Sequence, residues 1–379
     1  MIKPVPQNLL RWLPAIGVCI AFAGCATSDG DDGRPAITAE DVRALIVRLL
    51  PPTLADRAGW ATDIKAAFAV LDIAPSAENV CAVLAITEQE STFRADPAVP
   101  GLAAIVWQEI DRQAERAGVP KFAVRTALHV TSPDGRTYSD RIDAAKTEKE
   151  LSEIFEDFIG MVPLGKTFLA SRNPVRTGGP MQVSVSFAEA HASANRYPYP
   201  VQGSIRHEVF TRRGGLYFGI AHLLTYEAPY QQPIYRFADY NAGRYASRNS
   251  AFQNALTIAS GVPLVLDGDL LPPGAAGEVP AGSTELAALT LAKRFDMSAS
   301  SIRRDLERGT EPAFEGSRLH QRVFARADQM QGRPVPRALL PTITLKSPKI
   351  TRTLTTEWFA KRVDDRYQRC LVRARPQDS

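Results

Sequence analysis

Two acidic residues, Glu88 and Glu90, close the apolar run that holds Val80, Val83, Leu84, Ile86 and Thr87. A carboxyl kept protonated near neutral pH can hand a proton to a leaving oxygen, and apolar surroundings raise a glutamate into that range. On a helix the two glutamates lie about 200° apart, so only one can face a given cleft. Periodicity does not choose between them, because Glu90 stacks over Ile86 and Val83 while Glu88 stacks over Leu84. Two later fragments carry side chains suited to a polar polymer. Gly179-Pro180-Met181-Gln182 offers close backbone approach, an adaptable apolar surface, and an amide that both donates and accepts. Ala238-Asp239-Tyr240-Asn241-Ala242-Gly243 adds a phenol and a second amide, although Asn-Ala-Gly is also a natural helix C-terminus.

In this order the fragments resemble the motif set of the lytic murein transglycosylases, whose domain has a goose-type-lysozyme-like fold. Glu90-Ser91-Thr92-Phe93 matches the family's Glu-Ser-x-Phe, and this match, not the periodicity, selects Glu90 as the catalytic acid. Gly179 to Gln182 resembles Gly-x-Met-Gln, with Pro180 where Leu is common. Ala238 to Gly243 resembles Ala-x-Tyr-Asn-x-Gly. The resemblance implies that Ser91 orients the acid or holds an acetamide, that Met181 and Gln182 line the sugar site, that Tyr240 hydrogen-bonds the carboxyl, and that Asn241 binds sugar or braces the site. Gln182 and Asn241 are about 60 residues apart, near the family norm. Glu90 and Gln182 are about 90 apart, far more than usual, which implies a helical insertion over 98–172.

The implied reaction breaks the β-1,4 bond from N-acetylmuramic acid to N-acetylglucosamine in peptidoglycan and leaves a 1,6-anhydro end. No cofactor or metal is expected. One alternative is a non-catalytic peptidoglycan-binding protein of the same fold. Another is a hydrolytic muramidase, which needs a second carboxylate; Asp96 and Asp239 are the nearest candidates. Other chemistries find little support. His129, His191, His207, His222 and His320 form no His-Glu-x-x-His and no close Cys/His cluster, and neither Gly-x-Ser-x-Gly nor a phosphate loop occurs. The aromatic residues Tyr197, Tyr199, Tyr217, Tyr226, Tyr230 and Tyr235 fit a sugar groove or a packed core equally well.

The elements that must position these residues are mostly helices. Helical patterns begin at Thr38-Ala39-Glu40-Asp41, stopped by Pro51-Pro52, and continue at Trp60 to Leu71. Ser76 is placed to cap the helix that carries Glu90. Further helices are expected over Leu102 to Ala117, Phe122 to His129, Glu148 to Ile159, Phe187 to Ala194, Leu216 to Tyr226, Ile234 to Tyr240, Ala251 to Ser260, Thr284 to Phe295, Ser298 to Arg308 and Trp358 to Leu371. Ser132-Pro133-Asp134-Gly135 reads as a turn. The one strand signal is around Val262 to Leu266.

The domain expectation follows: a mainly α, lysozyme-like catalytic domain over 37–260 with its insertion, a Pro/Gly-rich loop or linker over 261–283, and a helical C-terminal region over 284–379 packed on the catalytic domain. Apolar content is 45% and charged content 23%, as in a soluble globular protein. The formal charge of +4 includes Lys3 and Arg11 of a basic leader, and so small an excess does not argue for nucleic acid. The leader's apolar stretch, Trp12 to Gly24, is too short to span a bilayer comfortably. It ends in Phe22-Ala23-Gly24-Cys25, which resembles a bacterial lipobox: a signal peptide over 1–24, lipidation of Cys25, and a polar tether over 25–36. Ala26 after the cysteine favours, by the same resemblance, the periplasmic face of the outer membrane. The competing reading is an ordinary secretory signal cut near Ala26. Export leaves Cys81 and Cys370 in an oxidising compartment, where one bridge is the simple accounting and two buried free thiols the alternative. Oligomeric state is not legible.

Overall fold

The computed structural model describes residues 39–161, 163–272, 274, 280–345 and 353–375. The leader, Cys25 and the tether lie outside them. The three helices that open the described chain are α1 (Ala39–Leu49), α2 (Arg57–Val70) and α3 (Ala77–Ser91). Ser76 caps α3 by accepting from the Asn79 backbone N–H at 3.2 Å, and Glu78 sits in its first turn. Every residue of α3 from Val80 to Thr87 is buried, so this helix is enclosed on all sides and not amphipathic. It is the spine of the first core.

Five short helices follow: α4 (Leu102–Arg116), α5 (Lys121–Ala127), α6 (Tyr138–Ala144), α7 (Glu148–Gly160) and α8 (Gly165–Leu169). They hold a small core of their own around Leu102, Val106, Tyr138, Ile142, Ala145 and Ile154. Its root is an antiparallel bridge between Ala98 and Thr147, and Thr147 with Glu150 forms the capping box of α7. A tight hairpin comes next, β1 (Thr177–Gly178) paired with β2 (Val183–Ser184), and then α9 (Val185–Ala194), α10 (Ile205–Val209), α11 (Arg212–Leu224) and α12 (Pro233–Ala242).

The second core begins earlier than the sequence suggests. Helix α13 (Ala246–Ser260) was expected to end the catalytic domain. It instead gives Ala251, Phe252, Ala255 and Leu256 to a core shared with α14 (Ser283–Thr290), α15 (Ala299–Glu307) and α16 (Arg318–Gln331). Residues 262–266 make no strand ladder. The loop they belong to is pinned against α13, where Gly268 donates to Gln253 and its carbonyl accepts from Asn249. A second hairpin, β3 (Thr344–Leu345) with β4 (Leu354–Thr355), leads into α17 (Thr356–Ala374), which returns to the first core. Helix α17 packs against both α3 and α12. Cys81 and Cys370 are joined, with Cα atoms 5.5 Å apart. The C-terminal region is thus divided: α14 to α16 build a separate core and α17 completes the first. The fold is mainly α, and among the described residues no helix is long and apolar enough to cross a membrane.

Candidate functional site

Helix α3 ends in a left-handed turn, with φ of 50° at Thr92 and 59° at Phe93. Phe93 swings back and is buried, its ring edge-on to Trp60 at 5.8 Å. The turn leaves Glu90 half-buried at the helix end. Glu88, as helical geometry requires, points elsewhere and pairs with Arg366 of α17 at 3.2 Å. The two carboxylates therefore serve different faces of one helix.

The hairpin meets the end of α10 and the face of α11 at unusually close range. A Cβ on Gly179 (φ 74°) would lie 2.1 Å from the Val209 carbonyl, and a Cβ on Gly219 would lie 2.5 Å from the Met181 sulfur. Glycine at both positions lets Met181 wedge onto α11, fully buried. The Met181 carbonyl accepts from the Tyr240 hydroxyl of α12 at 2.7 Å. Tyr240 is also near enough to Glu90 to feel it: burial first, and then the Glu90 charge, hold its phenol well above the ordinary tyrosine range. Glu90, Met181 and Tyr240 are thereby gathered from three separate segments.

Several motif residues occupy positions that differ from those the resemblance implies. The Tyr240 proton goes to the Met181 carbonyl, so this hydroxyl can meet Glu90 only as an acceptor. Ser91 is buried; its hydroxyl donates to Thr87 O at 3.1 Å and accepts from the Arg94 N–H at 3.2 Å, which ties off its own helix end. Met181 presents no side-chain surface. Gln182 takes a left-handed φ of 50°; its amide donates to Gly179 O and accepts from Thr177 at 3.5 Å, bracing the hairpin. Asn241 is exposed and accepts from Thr356 at the start of α17 at 2.9 Å. Asp239 is fully buried and accepts from Tyr226, Tyr230 and the backbone N–H groups of Tyr245 and Ser247. Asp96 is raised in pKa by burial and hydrogen-bonded to Thr147 at the insertion root.

The sequence did not single out the layer beneath Tyr240. His222 of α11 packs its ring edge against Tyr240 at 5.0 Å and against Phe187 at 4.7 Å. Burial, then the Arg244 charge, lowers its pKa to about 4, so it is neutral across the ordinary pH range. Arg244, directly after the Ala238–Gly243 fragment, donates to the carbonyls of Ala221 and His222 at the end of α11. A cation placed just past a motif was the available signal. Many of the tyrosines belong to the packing: Tyr197 donates to the buried Glu208, and Tyr226 and Tyr230 serve Asp239. Among the described residues no three His, Cys, Asp or Glu side chains gather in a way that could hold a metal.

Comparison with known proteins gives a long, even match. The chain is 52% identical over 364 residues to the "Uncharacterized protein YaiW" of Escherichia coli strain K12, covering 96% of this chain and 98% of that one. No solved structure matches. Residues 53–373 match the family described as "Protein of unknown function (DUF1615)", and the chain belongs to that family.

Proposed function

We propose that the protein is a lipid-anchored lytic transglycosylase of lysozyme-like fold, held at the periplasmic face of the outer membrane through Cys25 and cleaving the glycan strands of peptidoglycan. The observation that carries this reading is the convergence of Glu90, the Met181 carbonyl and Tyr240 from three fragments that match one motif set in order. The arrangement suits an acid. Because the Tyr240 hydroxyl donates to Met181, it would meet Glu90 only as an acceptor, which suits the acid form that the proposed chemistry requires.

The mechanism uses one carboxyl twice. Glu90 protonates the glycosidic oxygen. The substrate's own muramyl acetamide stabilises C1 from within the ring. Glu90 then takes the proton from the C6 hydroxyl as that oxygen closes on C1, giving the 1,6-anhydro product. No enzymic nucleophile is needed, which agrees with the state of the two carboxylates weighed for a hydrolytic route: Asp239 is sealed by four donors, and Asp96 belongs to the root of α4–α8. Asn241, exposed beside Tyr240, is the motif amide most open to sugar.

The test is release of anhydro-ended muropeptides from purified sacculi. Glu90→Gln should lower release by ~10²–10⁴-fold, the usual share of general acid–base catalysis, and leave the fold intact. Reducing, non-anhydro ends would rule out the transglycosylase chemistry. No release by the wild type, with murein still bound, would favour the binding protein of the same fold.

A further inference from the structure

Opposite the Glu90 face, α3 borders a pocket closed by α1 and α17. Its floor is apolar: Leu49, Pro51, Pro52, Leu84, Ala85 and Phe93. Three charged side chains rim it. Glu88 and Arg366 neutralise each other at 3.2 Å. Arg373, exposed, makes no hydrogen bond or ion pair with any described residue. Among the described residues the rim thus presents one unpaired guanidinium, Arg373, and Glu88 meets Arg366 through one oxygen, leaving its other as an acceptor.

We propose that this pocket binds the free carboxylate end of a short peptide with small apolar side chains. The size selects a fragment. The pocket encloses about 190 Å³, whereas sites for drug-sized ligands run to about 300–1,000 Å³. A sugar ring could bond Glu88 and Arg373 only through its rim-facing hydroxyls and would set the rest against leucine and proline side chains. An inorganic anion would answer Arg373 and leave the apolar floor wet. A terminal residue with methyl-sized side chains answers both, its carboxylate to the fork of Arg373 and its N–H groups to Glu88. The natural source rests on the peptidoglycan reading, since murein carries peptides with free carboxyl ends. Recognition would then engage strand and peptide on opposite faces of the same helix.

The experiment titrates the full chain calorimetrically with alanyl-alanine of D configuration as the probe. The same dipeptide with its C-terminus amidated, and inorganic phosphate, are run beside it. The free acid should bind, the amide at least tenfold more weakly, and phosphate should not compete. Arg373→Glu should weaken binding at least tenfold with an unchanged melting temperature. Absence of binding, equal binding of acid and amide, or competition by phosphate would each overturn the proposal. Glu90→Gln should titrate as the wild type does, so failure of this pocket and failure of the Glu90 chemistry are read separately.

Discussion

At the junction of α12 and α13, Asp239 accepts four hydrogen bonds and is sealed from solvent; in the first turn of α13, Arg248, 1% exposed, bonds the carbonyls of Gly309 and Glu311 and stacks on Tyr245 and Phe314. At the end of α3, Glu90 is half-buried beside a tyrosine whose proton is already given away. The first region is saturated, and saturation joins the two cores. The second is the one that the proposed chemistry would use. Polar groups fully answered by the fold have nothing left for a substrate. By that measure Ser91, Gln182 and Asp239 build the cradle, whereas Glu90 is half-buried and Asn241 exposed, where the proposed chemistry would need them.

The largest effect expected concerns what holds α17 in place. The Cys81–Cys370 bond closes a loop of 289 residues and fastens α17 to α3. In the chain-entropy account such a closure contributes about 5 kcal/mol. Reduction, or Cys370→Ser, should lower the unfolding free energy measured in denaturant by that order. A shift under about 1 kcal/mol would mean that α17 is held by Phe359, Val363 and Tyr367 without the bridge.

The comparison itself is broken or sharpened by removing each carboxylate. Asp239→Ala leaves two buried tyrosine hydroxyls and two backbone N–H groups unanswered, and should cost about 3–5 kcal/mol. Glu90→Gln should cost less than about 1 kcal/mol in thermal or denaturant unfolding. Equal costs would show that Glu90 too is a structural group.

Much of this architecture was legible in the sequence. Ser76 was readable as a cap, Pro51-Pro52 as a stop, and the helix carrying Glu90 as apolar. The α16 helix was not read, because its buried residues Leu319, Val323, Phe324 and Ala327 are spaced among arginines and glutamines that mask the stripe. The division of the C-terminal region was not readable either. Periodicity marks a buried face without saying which core buries it, and α13 and α17 exchange the cores that chain order suggests. In the candidate site, the motif resemblance, and not periodicity, pointed to Glu90 and Tyr240. The direction of the Tyr240 hydrogen bond depends on where the hairpin backbone ends up, and one side chain's identity carries no record of that.

Partly buried histidines give a pH-dependent contrast between the cores. His222 in the first and His320 in the second are both lowered to about 4, each by burial first, and then by Arg244 and Arg248 respectively. The unfolded chain takes up these protons near pH 6.5 and the native one only near 4. The native state thus binds fewer protons in that window, and stability must fall as pH drops from about 6.5 to 4, by up to about 1.4 kcal/mol per pH unit for each histidine. His222→Gln and His320→Gln should each flatten the slope of melting temperature against pH. A slope unchanged in both variants would place the acid sensitivity elsewhere.

The smallest effect belongs to the other face of α3. Glu88 pairs with Arg366, a side chain 14% exposed, while Glu88 itself keeps 38% of its surface in water. A partly exposed pair of this kind contributes roughly 0–1 kcal/mol. Glu88→Gln keeps a hydrogen-bond acceptor for Arg366 and removes only the charge. It should therefore shift stability by less than about 1 kcal/mol and leave glycan release as in the wild type. Since Glu88 and Glu90 share a helix, an apolar setting and a side-chain type, this near-silence is the control that gives the Glu90 result its meaning. Loss of release in both variants would assign the effect to the helix and not to one carboxyl, and the distinction drawn between the two faces of α3 would fall.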